Sequence, residues 1–517
     1  MVLSGDYEKT GPMNTYVDDL LKRVPVAISP LNAANPLITG VTDDSRRVQR
    51  GNLFVARTGT SQAGSRFIPQ AIEKGAAAIL TDQWPGGEPP AGVAVLITAE
   101  IARAAGELAH GYYSFPARDM TVMAVTGTNG KTTIAYLTRA IFAAAVRRCG
   151  LIGTVEIDDG ANCVESPMTT PGAAELAALL ARMRDNGLQA VAMEASSHAL
   201  EQDRLAGLRV QVAMFSNLTR DHLDYHKTME SYAAAKARLF TGLDADAWAV
   251  INLDDPYARK MVSHCPARLM TYAIAQPADV RGTITRMDLT GMRLNIDLAD
   301  GRRLVVDSPL VGAYNAQNIL CAMAGGLAAG LPAEVIANAF RDAPAVPGRL
   351  QRVVLPGHAA ADIPINVFVD YAHTPDALEN VLRMLGSLPR RRVICVFGCG
   401  GDRDRTKRPL MGKVARDLAD YVIITSDNPR TEDPMDIIGE IVAGFGGEVA
   451  FNVRTIVDRK AAIYAAVEMA QPGDTILLAG KGHENYQIIG AVRHHFDDVE
   501  QAAAAMQARF EPASARG

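Results

Sequence analysis

The chain has 517 residues, of which 48% are hydrophobic and 21% are charged, and its formal net charge is −5 at pH 7. This composition is typical of a globular protein with about three domains of roughly 150 residues. The small net charge, without long runs of one sign, argues against non-specific binding to nucleic acid or to a membrane surface. No apolar run reaches the roughly 18 residues of a membrane span, and Asp6 and Glu8 stand where a secretory signal would be basic and then apolar. We expect a cytoplasmic protein that acts on small molecules.

Strand-like and helix-like segments alternate along the chain. Between about 37 and 98, the runs LFVAR, AAAIL and VAVLIT flank the helical stretch IPQAIEKGA, which predicts a small α/β domain. After a linker near YYSFPARDM, MTVMAVTG predicts a buried strand, GTNGK a turn and TTIAYLTRAIFAAA a helix. The segments LQAVAMEAS, VAMFSNLT and AWAVINLDDP again end apolar strands in polar residues. This alternation favours a parallel sheet.

The pattern restarts after VPGRLQRV, where four further strands end in polar or Gly-rich residues. Such ends place ligand groups at the carboxyl edge of a doubly wound sheet. We therefore predict an α/β protein of three domains: a small α/β domain over 1–118, a central P-loop ATPase-type parallel sheet over 119–347, and a doubly wound, Rossmann-like domain over 348–517. Residues 501–517 resemble a last helix followed by a frayed end.

Six cysteines, at positions 149, 163, 265, 321, 395 and 399, are scattered and form no C-x-x-C pair. In a large chain expected in the cytoplasm, this pattern predicts reduced packing thiols rather than disulfides or a zinc site.

The segment AVTGTNGKTTIAY, residues 124–136, contains the Gly-Lys-Thr of a phosphate-binding loop. The usual G-x-x-x-x-G-K-[ST] has a glycine where Val125 stands, and here Gly127 comes two residues later. Between a strand and a helix, backbone N–H groups converge on a phosphate, Lys131 adds a charge, and Thr132 can hold Mg²⁺. The alternative is a Gly-rich turn with an exposed lysine. The loop predicts a nucleotide site but no particular reaction.

Two further polar groups follow apolar strands, Glu194 in VAMEASSHALEQDR and His222 in SNLTRDHLDYH. Both could converge beside the phosphates, and Mg²⁺ accepts oxygen ligands with an occasional imidazole. His222 and His226 would be an i, i+4 pair on a helix, which would suit zinc, but no third ligand has a plausible spacing. A structural role for each histidine is the alternative.

Ten segments stand in the order in which Mur ligases carry them: TGTNGKTT, MEASSHAL, SNLTRDHLDYH, YAAAKARLF, GAYNAQNIL, PGRLQRV, VDYAHTPDAL, FGCGGDRDRTKRP, SDNPRTEDP and AGKGHENYQ. The chain resembles this family over about residues 40 to 500, most specifically in GTNGKTT and DNPR. The resemblance implies a UDP-substrate-binding, an ATP-binding and an amino-acid-binding domain. It also implies the branch that adds meso-2,6-diaminopimelate to UDP-N-acetylmuramoyl-L-alanyl-D-glutamate in cytoplasmic peptidoglycan precursor synthesis.

The resemblance implies ATP and Mg²⁺ as cofactors and a path through an acyl phosphate. It assigns catalytic roles to Lys131, Glu194, His222 and Lys236, with Lys236 carbamylated, and metal contacts to Thr132, Glu194, His222 and Lys236. Without the resemblance, Lys236 on its Ala-rich helix would be interpreted as a solvated surface lysine. The ATP-binding positions are Gly127, Thr128, Asn129, Gly130, Lys131, Thr132, Thr133, Asn315, Asn318, Arg349 and Asp370, and His373 lies in the matching YAHTP. For the downstream positions, turn formation and surface charge are the alternatives.

For the UDP-linked substrate, the resemblance points to Ser45, Ser61, Gln62, Ala63, Thr169, Thr170, Ser196, Gln202 and Arg204. The sequence departs from the family pattern at two places. Ser61 stands where the family often has His, and Met168 stands where it often has Asn.

The segment TSDNPRTEDPMDII indicates the amino acid substrate. Asp433 followed by Pro434 is a good helix start, so DNPR is expected in the loop just before a helix. Arg430 there, and Arg403 in GGDRDR, could each bind a carboxylate bidentately. Diaminopimelate has a distal carboxylate that lysine lacks, so lysine would leave a buried arginine unpaired. The full expected set is Arg403, Asp427, Asn428, Pro429, Arg430, Gly480 and Glu484; a charged capping loop is the alternative.

Two other functions stay open from the sequence. One is a different ligase of the superfamily, such as folylpolyglutamate synthase or a sister Mur ligase, although DNPR is not expected there. The other is a P-loop protein that hydrolyses nucleotide as a switch. The expected partners are the small-molecule substrates, with no nucleic acid and no membrane, and the expected state is a monomer.

Overall fold

The computed structural model describes residues 14–57, 64–355, 357–358, 363–446 and 452–510. The chain forms two compact units. The first contains residues 1–282, 296–304 and 317–340, and the second contains residues 283–295, 305–316 and 341–517.

The first unit begins with short strands and helices around a five-stranded sheet. Their bounds are β1 Thr15–Tyr16, α1 Val17–Leu21, β2 Ser29–Pro30, β3 Leu37–Ile38, β4 Gly40–Thr42, β5 Asn52–Val55, α2 Ile68–Glu73, β6 Ala78–Thr81, β7 Ala94–Ile97 and α3 Ile101–Tyr112. The strand order is β2-β7-β6-β5-β4, parallel except for β2. The apolar runs of the sequence supply these strands, and β5 and β6 are buried along their whole length.

A larger sheet with flanking helices follows in the same unit. Its elements are β8 Thr121–Thr126, α4 Lys131–Ala144, β9 Cys149–Ile152, β10 Glu156–Asp158, β11 Cys163–Glu165, α5 Ala173–Asp185, β12 Ala190–Glu194, α6 Ser197–Glu201, β13 Val212–Phe215, α7 Leu223–His226, α8 Met229–Thr241, β14 Trp248–Asn252, α9 Ala258–Met261 and β15 Arg268–Ala273. The order β9-β12-β8-β13-β14-β15 is parallel throughout. Parallel strands align their carboxyl ends, so the loops after β8, β12 and β13 open on one edge.

The chain passes between the units within three strands and one helix. These are β16 Val280–Asp288, β17 Gly291–Leu298, β18 Arg303–Ser308 and α10 Ala313–Ala328, after which α11 Ala333–Arg341 follows.

The second unit is a doubly wound domain on a six-stranded sheet. Its elements are β19 Gln351–Arg352, β20 Asn366–Asp370, α12 Pro375–Ser387, β21 Val393–Phe397, α13 Lys407–Leu418, β22 Tyr421–Ile424, α14 Pro434–Ala443, β23 Val453–Thr455, α15 Arg459–Met469, β24 Thr475–Ala479, β25 Tyr486–Ile489, β26 Val492–His495 and α16 Asp498–Phe510. The order is β19-β20-β24-β21-β22-β23, parallel except for β19. A separate apolar cluster lies on each face of the sheet.

The mixed α/β class with parallel sheets is confirmed. The boundaries proposed after residues 118 and 347 stay a prediction. All six cysteines are free thiols, three of them buried, but Cys163 is exposed, so packing does not account for it. Among the described residues, no helix is both long and apolar enough to cross a bilayer.

Candidate active site

The phosphate-binding loop joins the end of β8 to the start of α4. A Cβ on Gly127 would lie 1.8 Å from Oγ of Ser216, and a Cβ on Gly130 would lie 2.3 Å from Oδ1 of Asn318. Gly130 also has a φ of 89°, in the left-handed region that favours glycine. Because of these close neighbours, only glycine fits at both positions. The packing of this loop therefore requires the late first glycine, Gly127.

Ser216 and Asn217, which directly follow β13, form hydrogen bonds to the backbone of this loop. Asn217 accepts a hydrogen bond from N–H of Asn129 at 3.0 Å on Oδ1, and its carbonyl oxygen accepts one from N–H of Thr128 at 2.8 Å. Ser216 donates from Oγ to the carbonyl oxygen of Asn129 at 2.6 Å. We did not select Ser216 and Asn217 from the sequence, although they stand in the SNLT segment that precedes His222.

Two lysine ammonium groups meet at the carbonyl oxygen of Gly127. Lys131 donates to it at 2.9 Å and to the carbonyl oxygen of Thr128 at 2.8 Å, and Lys236 donates to it at 2.7 Å. Lys236 is 1% exposed, and its Nζ lies 4.4 Å from the ring centroid of Tyr232. Burial, followed by the charge of Lys131, holds the pKa of Lys236 well below its usual range. The interpretation of Lys236 as a solvated surface lysine is therefore wrong.

Glu194 is the last residue of β12, and its carboxylate is buried and oriented. Thr154 donates from N–H to Oε1 at 2.8 Å and from its hydroxyl to Oε2 at 3.1 Å. Gly153 leaves the space for this approach, because a Cβ there would lie 2.6 Å from Oε1. Thr154, which the sequence did not single out, therefore sets the direction of this carboxylate.

The two histidines of HLDYH have different surroundings. His222 caps α7 with a left-handed φ of 52°, and its side chain is 46% exposed. Burial, and to a smaller extent the charges of Lys131 and Lys236, lower the pKa of His222, while Asp221 opposes them. His226 is buried, with Nε2 at 2.9 Å from Oγ of Ser197 and Nδ1 at 3.3 Å from Glu201. Both ring nitrogens of His226 therefore have partners, Ser197 and Glu201, which favours the structural interpretation of this histidine.

Most residues predicted to bind the UDP-linked substrate form one network beside Glu194. Thr170 donates to the carbonyl oxygen of Glu194 at 2.9 Å and accepts from N–H of Ser196 at 3.1 Å. Arg204 donates to the carbonyl oxygen of Thr170 at 2.8 Å and to Oε1 of Gln202 at 2.8 Å.

Of the remaining residues of that set, Thr169 contacts this network and Ser45 does not. Thr169 reaches the hydroxyl of Thr154 at 3.1 Å. Met168, which is outside the predicted set and stands where the family often has Asn, places its sulfur 3.3 Å from Nη1 of Arg204. Ser45 lies apart, where its carbonyl oxygen accepts from Lys74. Ser61, Gln62 and Ala63 lie outside the described residues.

The other residues predicted to bind ATP are mostly in the second unit. Asp370, at the end of β20, accepts from the backbone of Leu350 and Ala372 at 2.7 and 2.9 Å, and burial raises its pKa. Arg349 lies over the ring of Tyr371 at 5.0 Å, and Nδ1 of His373 is 2.8 Å from the carbonyl oxygen of Tyr371.

Helix α10 carries the two predicted asparagines three residues apart. Asn315 donates to the carbonyl oxygen of Val311, and Asn318 belongs to the first unit, beside Gly130. Asp370, Asn315 and Asn318 are buried, so surface charge does not account for them.

The DNPR segment lies after β22, immediately before α14, as predicted, and Asp433 caps that helix by accepting from N–H of Met435. Arg430 has a left-handed φ of 53°, held by hydrogen bonds of its backbone to Ile488 and Gly490. Its Nη1 donates to the carbonyl oxygen of Gly401 at 2.9 Å, while within the described part of the chain its Nε and Nη2 have no hydrogen-bond partner. Among the described residues, half of the guanidinium is thus without a hydrogen-bond partner. Arg403 is exposed and contacts the carbonyl oxygen of Asp402.

The acidic members of the predicted amine site lie together in the second unit. Asn428 donates from Nδ2 to Glu484 at 2.8 Å, and Pro429 is buried. Gly480 approaches Asp427, whose Oδ2 would be 3.3 Å from a Cβ on that glycine. Lys481, absent from the predicted set, places its ammonium group between Asp427 and Glu484. Its neighbours in GKGHE were the signal that could have found it.

Three family models match the chain in order. They are described as Mur ligase family, catalytic domain, over residues 37–113; Mur ligase middle domain, over 125–326; and Mur ligase, glutamate ligase domain, over 348–482. A relative from Synechococcus elongatus, named UDP-N-acetylmuramoyl-L-alanyl-D-glutamate--2,6-diaminopimelate ligase, is 45% identical over 95% of this chain and 98% of its own. The chain belongs to the Mur ligase family.

Other Mur ligases are similar over nearly the whole chain. A relative of the same name from Synechococcus sp. (strain WH7803) is 44% identical over 96% of this chain and 99% of its own. A solved structure with that name is 36% identical, covers 96% of this chain and 100% of its own, and has a TM-score of 0.70. The family membership expected from the ten motifs is therefore confirmed.

Proposed function

We propose that this protein is an ATP-dependent, ADP-forming ligase that joins meso-2,6-diaminopimelate to UDP-N-acetylmuramoyl-L-alanyl-D-glutamate in peptidoglycan precursor synthesis. The observation that carries the proposal is the 45% identity, over nearly the full length of both chains, to a ligase named for that reaction. The open half of the Arg430 guanidinium supports it, because diaminopimelate brings a second carboxylate to such a group.

The reaction needs an activated carboxyl group, since a carboxylate and an amine do not condense in water. Transfer of the γ-phosphoryl group of ATP onto the D-glutamate carboxylate makes an acyl phosphate and releases ADP. The amine of diaminopimelate then attacks the acyl carbon, and the tetrahedral intermediate expels phosphate as the amide forms. Charge neutralisation at the phosphoryl group matters more here than covalent help from the protein.

The phosphate loop supports the first step. Its N–H groups and the N-terminus of α4 would face a bound phosphate, and Lys131 lies within hydrogen-bond distance of the carbonyl oxygen of Gly127. Lys131 donates to the carbonyl oxygens of Gly127 and Thr128. We infer that a β- or γ-phosphate oxygen takes over these contacts.

Mg²⁺ fits the donor chemistry of this region. Glu194 offers a buried carboxylate that Thr154 holds in one direction, and Thr132 and His222 offer a hydroxyl and an imidazole. Mg²⁺ keeps several waters and takes substrate phosphate oxygens, so a complete protein cage is not required. When bound, it would neutralise charge on the transferred phosphoryl group. A carbamate on Lys236 would add an oxygen ligand, and the buried, weakly basic amine is the kind of group that reacts with carbon dioxide.

The network of Thr170, Ser196 and Arg204 would hold the UDP-linked substrate. Thr170 donates to the carbonyl oxygen of Glu194, and Ser196 and Arg204 contact Thr170, so the proposed substrate site adjoins the backbone of Glu194. The protein would act as a monomer in the cytoplasm on these small molecules, and light scattering of the purified protein checks the monomer.

An ADP-release assay tests the proposed function. Release should require both the UDP-linked dipeptide and diaminopimelate, and L-lysine at the same concentration should not replace diaminopimelate. Release at an undiminished rate without either acceptor would instead identify a nucleotide switch. Release with a folate polyglutamate acceptor, but not with the UDP-linked dipeptide, would identify the other branch of the superfamily.

A further inference from the structure

Lys481 is a fully buried lysine in the second unit. It follows strand β24 in the segment AGKGHENYQ, and its relative exposure is 0%. A buried ammonium group is costly unless opposite charges surround it. The buried ammonium group of Lys481 therefore needs negatively charged side chains close to it.

Two carboxylates of the proposed amine site provide the partners. Nζ of Lys481 lies 3.5 Å from Oδ1 of Asp427 and 3.6 Å from Oε2 of Glu484. It also lies 5.5 Å from the ring centroid of Tyr486. The ammonium group is thus shared between two acidic side chains that stand 57 positions apart in the chain.

The glycines on either side fix the course of this lysine. Gly480 and Gly482 have φ values of 112° and 55°, which residues other than glycine rarely adopt. A Cβ on Gly482 would lie 2.6 Å from Cβ of Tyr371. These restrictions fix the backbone of the GKG turn, and the fixed backbone directs Lys481 toward the two carboxylates.

Glu484 depends on this cation. Burial, followed by the charge of Asp427, raises the pKa of Glu484, while Lys481 and the hydrogen bond from Asn428 oppose that rise. Two neighbouring carboxylates in a partly buried site favour uptake of a proton by one of them. A protonated Glu484 would lose most of its attraction for an ammonium group of the substrate.

The charges of the pocket match a zwitterion. Asp427 and Glu484 supply two negative groups, and Lys481 and Arg430 supply two positive groups, so the charges of these four side chains cancel. The buried Arg459 does not change this balance, because Asp498 binds it at 2.7 and 2.6 Å. The far end of diaminopimelate carries one ammonium and one carboxylate, whereas the far end of lysine is a bare cation.

We propose that Lys481 is a positioning residue that holds Asp427 and Glu484 as an ammonium-binding pair and gives the pocket its preference for a zwitterionic amino acid end over a bare ammonium group. This inference rests on the proposed function. It adds to the role of Arg430, because Lys481 contributes to selectivity through the carboxylates and not through a contact with the substrate carboxylate.

The test compares Lys481→Met with Lys481→Arg, using ADP release with meso-diaminopimelate and with L-lysine as the varied amine. Lys481→Met should raise KM for diaminopimelate about tenfold or more, with a smaller change in kcat. Its ratio of kcat/KM for diaminopimelate over that for lysine should fall by a similar factor, because the pocket is left with an excess negative charge. Lys481→Arg keeps the charge and should recover part of both quantities. KM for ATP should stay near the wild-type value.

A second variant keeps the inference testable if Lys481→Met folds poorly. In the double variant Lys481→Met/Asp427→Asn, one negative charge is removed with the positive one, so the preference for diaminopimelate over lysine should return toward the wild-type ratio. An unchanged KM and ratio in Lys481→Met would overturn the inference, as would a double variant whose preference for diaminopimelate over lysine stays far below the wild-type ratio. Failure of the wild-type protein to use diaminopimelate would instead reject the proposed function.

Discussion

Nζ of Lys236 donates a hydrogen bond to the carbonyl oxygen of Gly127 at 2.7 Å, across 109 positions of the sequence. The same oxygen accepts from Lys131, the lysine of the phosphate loop. Two ammonium groups on one carbonyl oxygen repel each other, and the charge of Lys131 is one cause of the lowered pKa of Lys236. Helix α8 therefore brings a buried, weakly basic amine directly to the loop that would bind ATP.

We expect Lys236→Met to reduce ligation at least about a hundredfold while ADP binding changes only a few-fold, because the variant keeps the side-chain volume but removes the amine. ADP release and ADP titration measure the two quantities. If Lys236 is carbamylated, ¹³C-bicarbonate should give a carbamate carbon signal in the wild type that is absent from the variant. The exposed Lys260→Met is the matched control and should behave as wild type. Full ligase activity in Lys236→Met would show that this amine is dispensable.

Gly127→Ala should weaken ATP and ADP binding at least about tenfold, because its Cβ would lie 1.8 Å from Oγ of Ser216 and the loop would have to move. Isothermal titration with ADP measures the effect. Gly439→Ala is the control: this glycine lies inside α14 with nothing within 4 Å of the added Cβ. There, alanine should leave nucleotide binding unchanged and stabilise the protein by up to about 1 kcal/mol. Equal ADP affinities in both variants would contradict the steric account of the late glycine.

Local signals in the sequence predicted the parts of the site that depend on near neighbours. Asp433 and Pro434 indicated the start of α14, and GTNGKT indicated a turn between strand and helix. Their conformations depend on capping and on backbone restrictions within a few residues. Such features need no knowledge of the fold.

Contacts between distant segments could not be predicted in this way. The Ala-rich surroundings of Lys236 gave no sign that α8 packs this lysine against Gly127. Thr154 reaches Glu194 across 40 positions, and Lys481 reaches Asp427 across 54. These side chains acquire their roles only when the parallel strands bring their loops to one edge of a sheet.

Arg430→Lys should lower kcat/KM for diaminopimelate about a hundredfold or more, because a point charge cannot replace the planar donors that the open half of the guanidinium presents. The activity with L-lysine should change much less, since lysine has no distal carboxylate. KM for ATP serves as the internal reference. Arg383→Lys, an exposed arginine paired with Glu379 on α12, is the matched control and should keep wild-type kinetics. Wild-type use of diaminopimelate by Arg430→Lys would remove this residue from the amine site.

A buried histidine remote from the proposed chemistry makes the stability of the protein depend on pH. His110, on α3, is 0% exposed, and neither ring nitrogen has a hydrogen-bond partner among the residues that the structure describes. Burial lowers the pKa of His110 from 6.5 to about 4. Because the folded state binds the proton less readily than the unfolded state, protonation favours unfolding. Above about pH 6.5 His110 is neutral in both the folded and the unfolded state, so its titration does not change the free energy of unfolding. Stability is lost as the pH falls from there toward 4.

The expected loss attributable to His110 is about 2 kcal/mol at pH 5 and roughly 3 kcal/mol below pH 4. Urea unfolding at pH 7.5 and pH 5, followed by circular dichroism, measures it. His110→Leu should show a smaller fall in unfolding free energy between the two pH values than the wild type does. His264→Leu, at an exposed position, should show the wild-type fall. Other groups titrate in the same range, so the difference between the proteins isolates this histidine. Parallel losses in the wild type and in His110→Leu would mean that the buried ring gains a compensating partner or water when it is protonated.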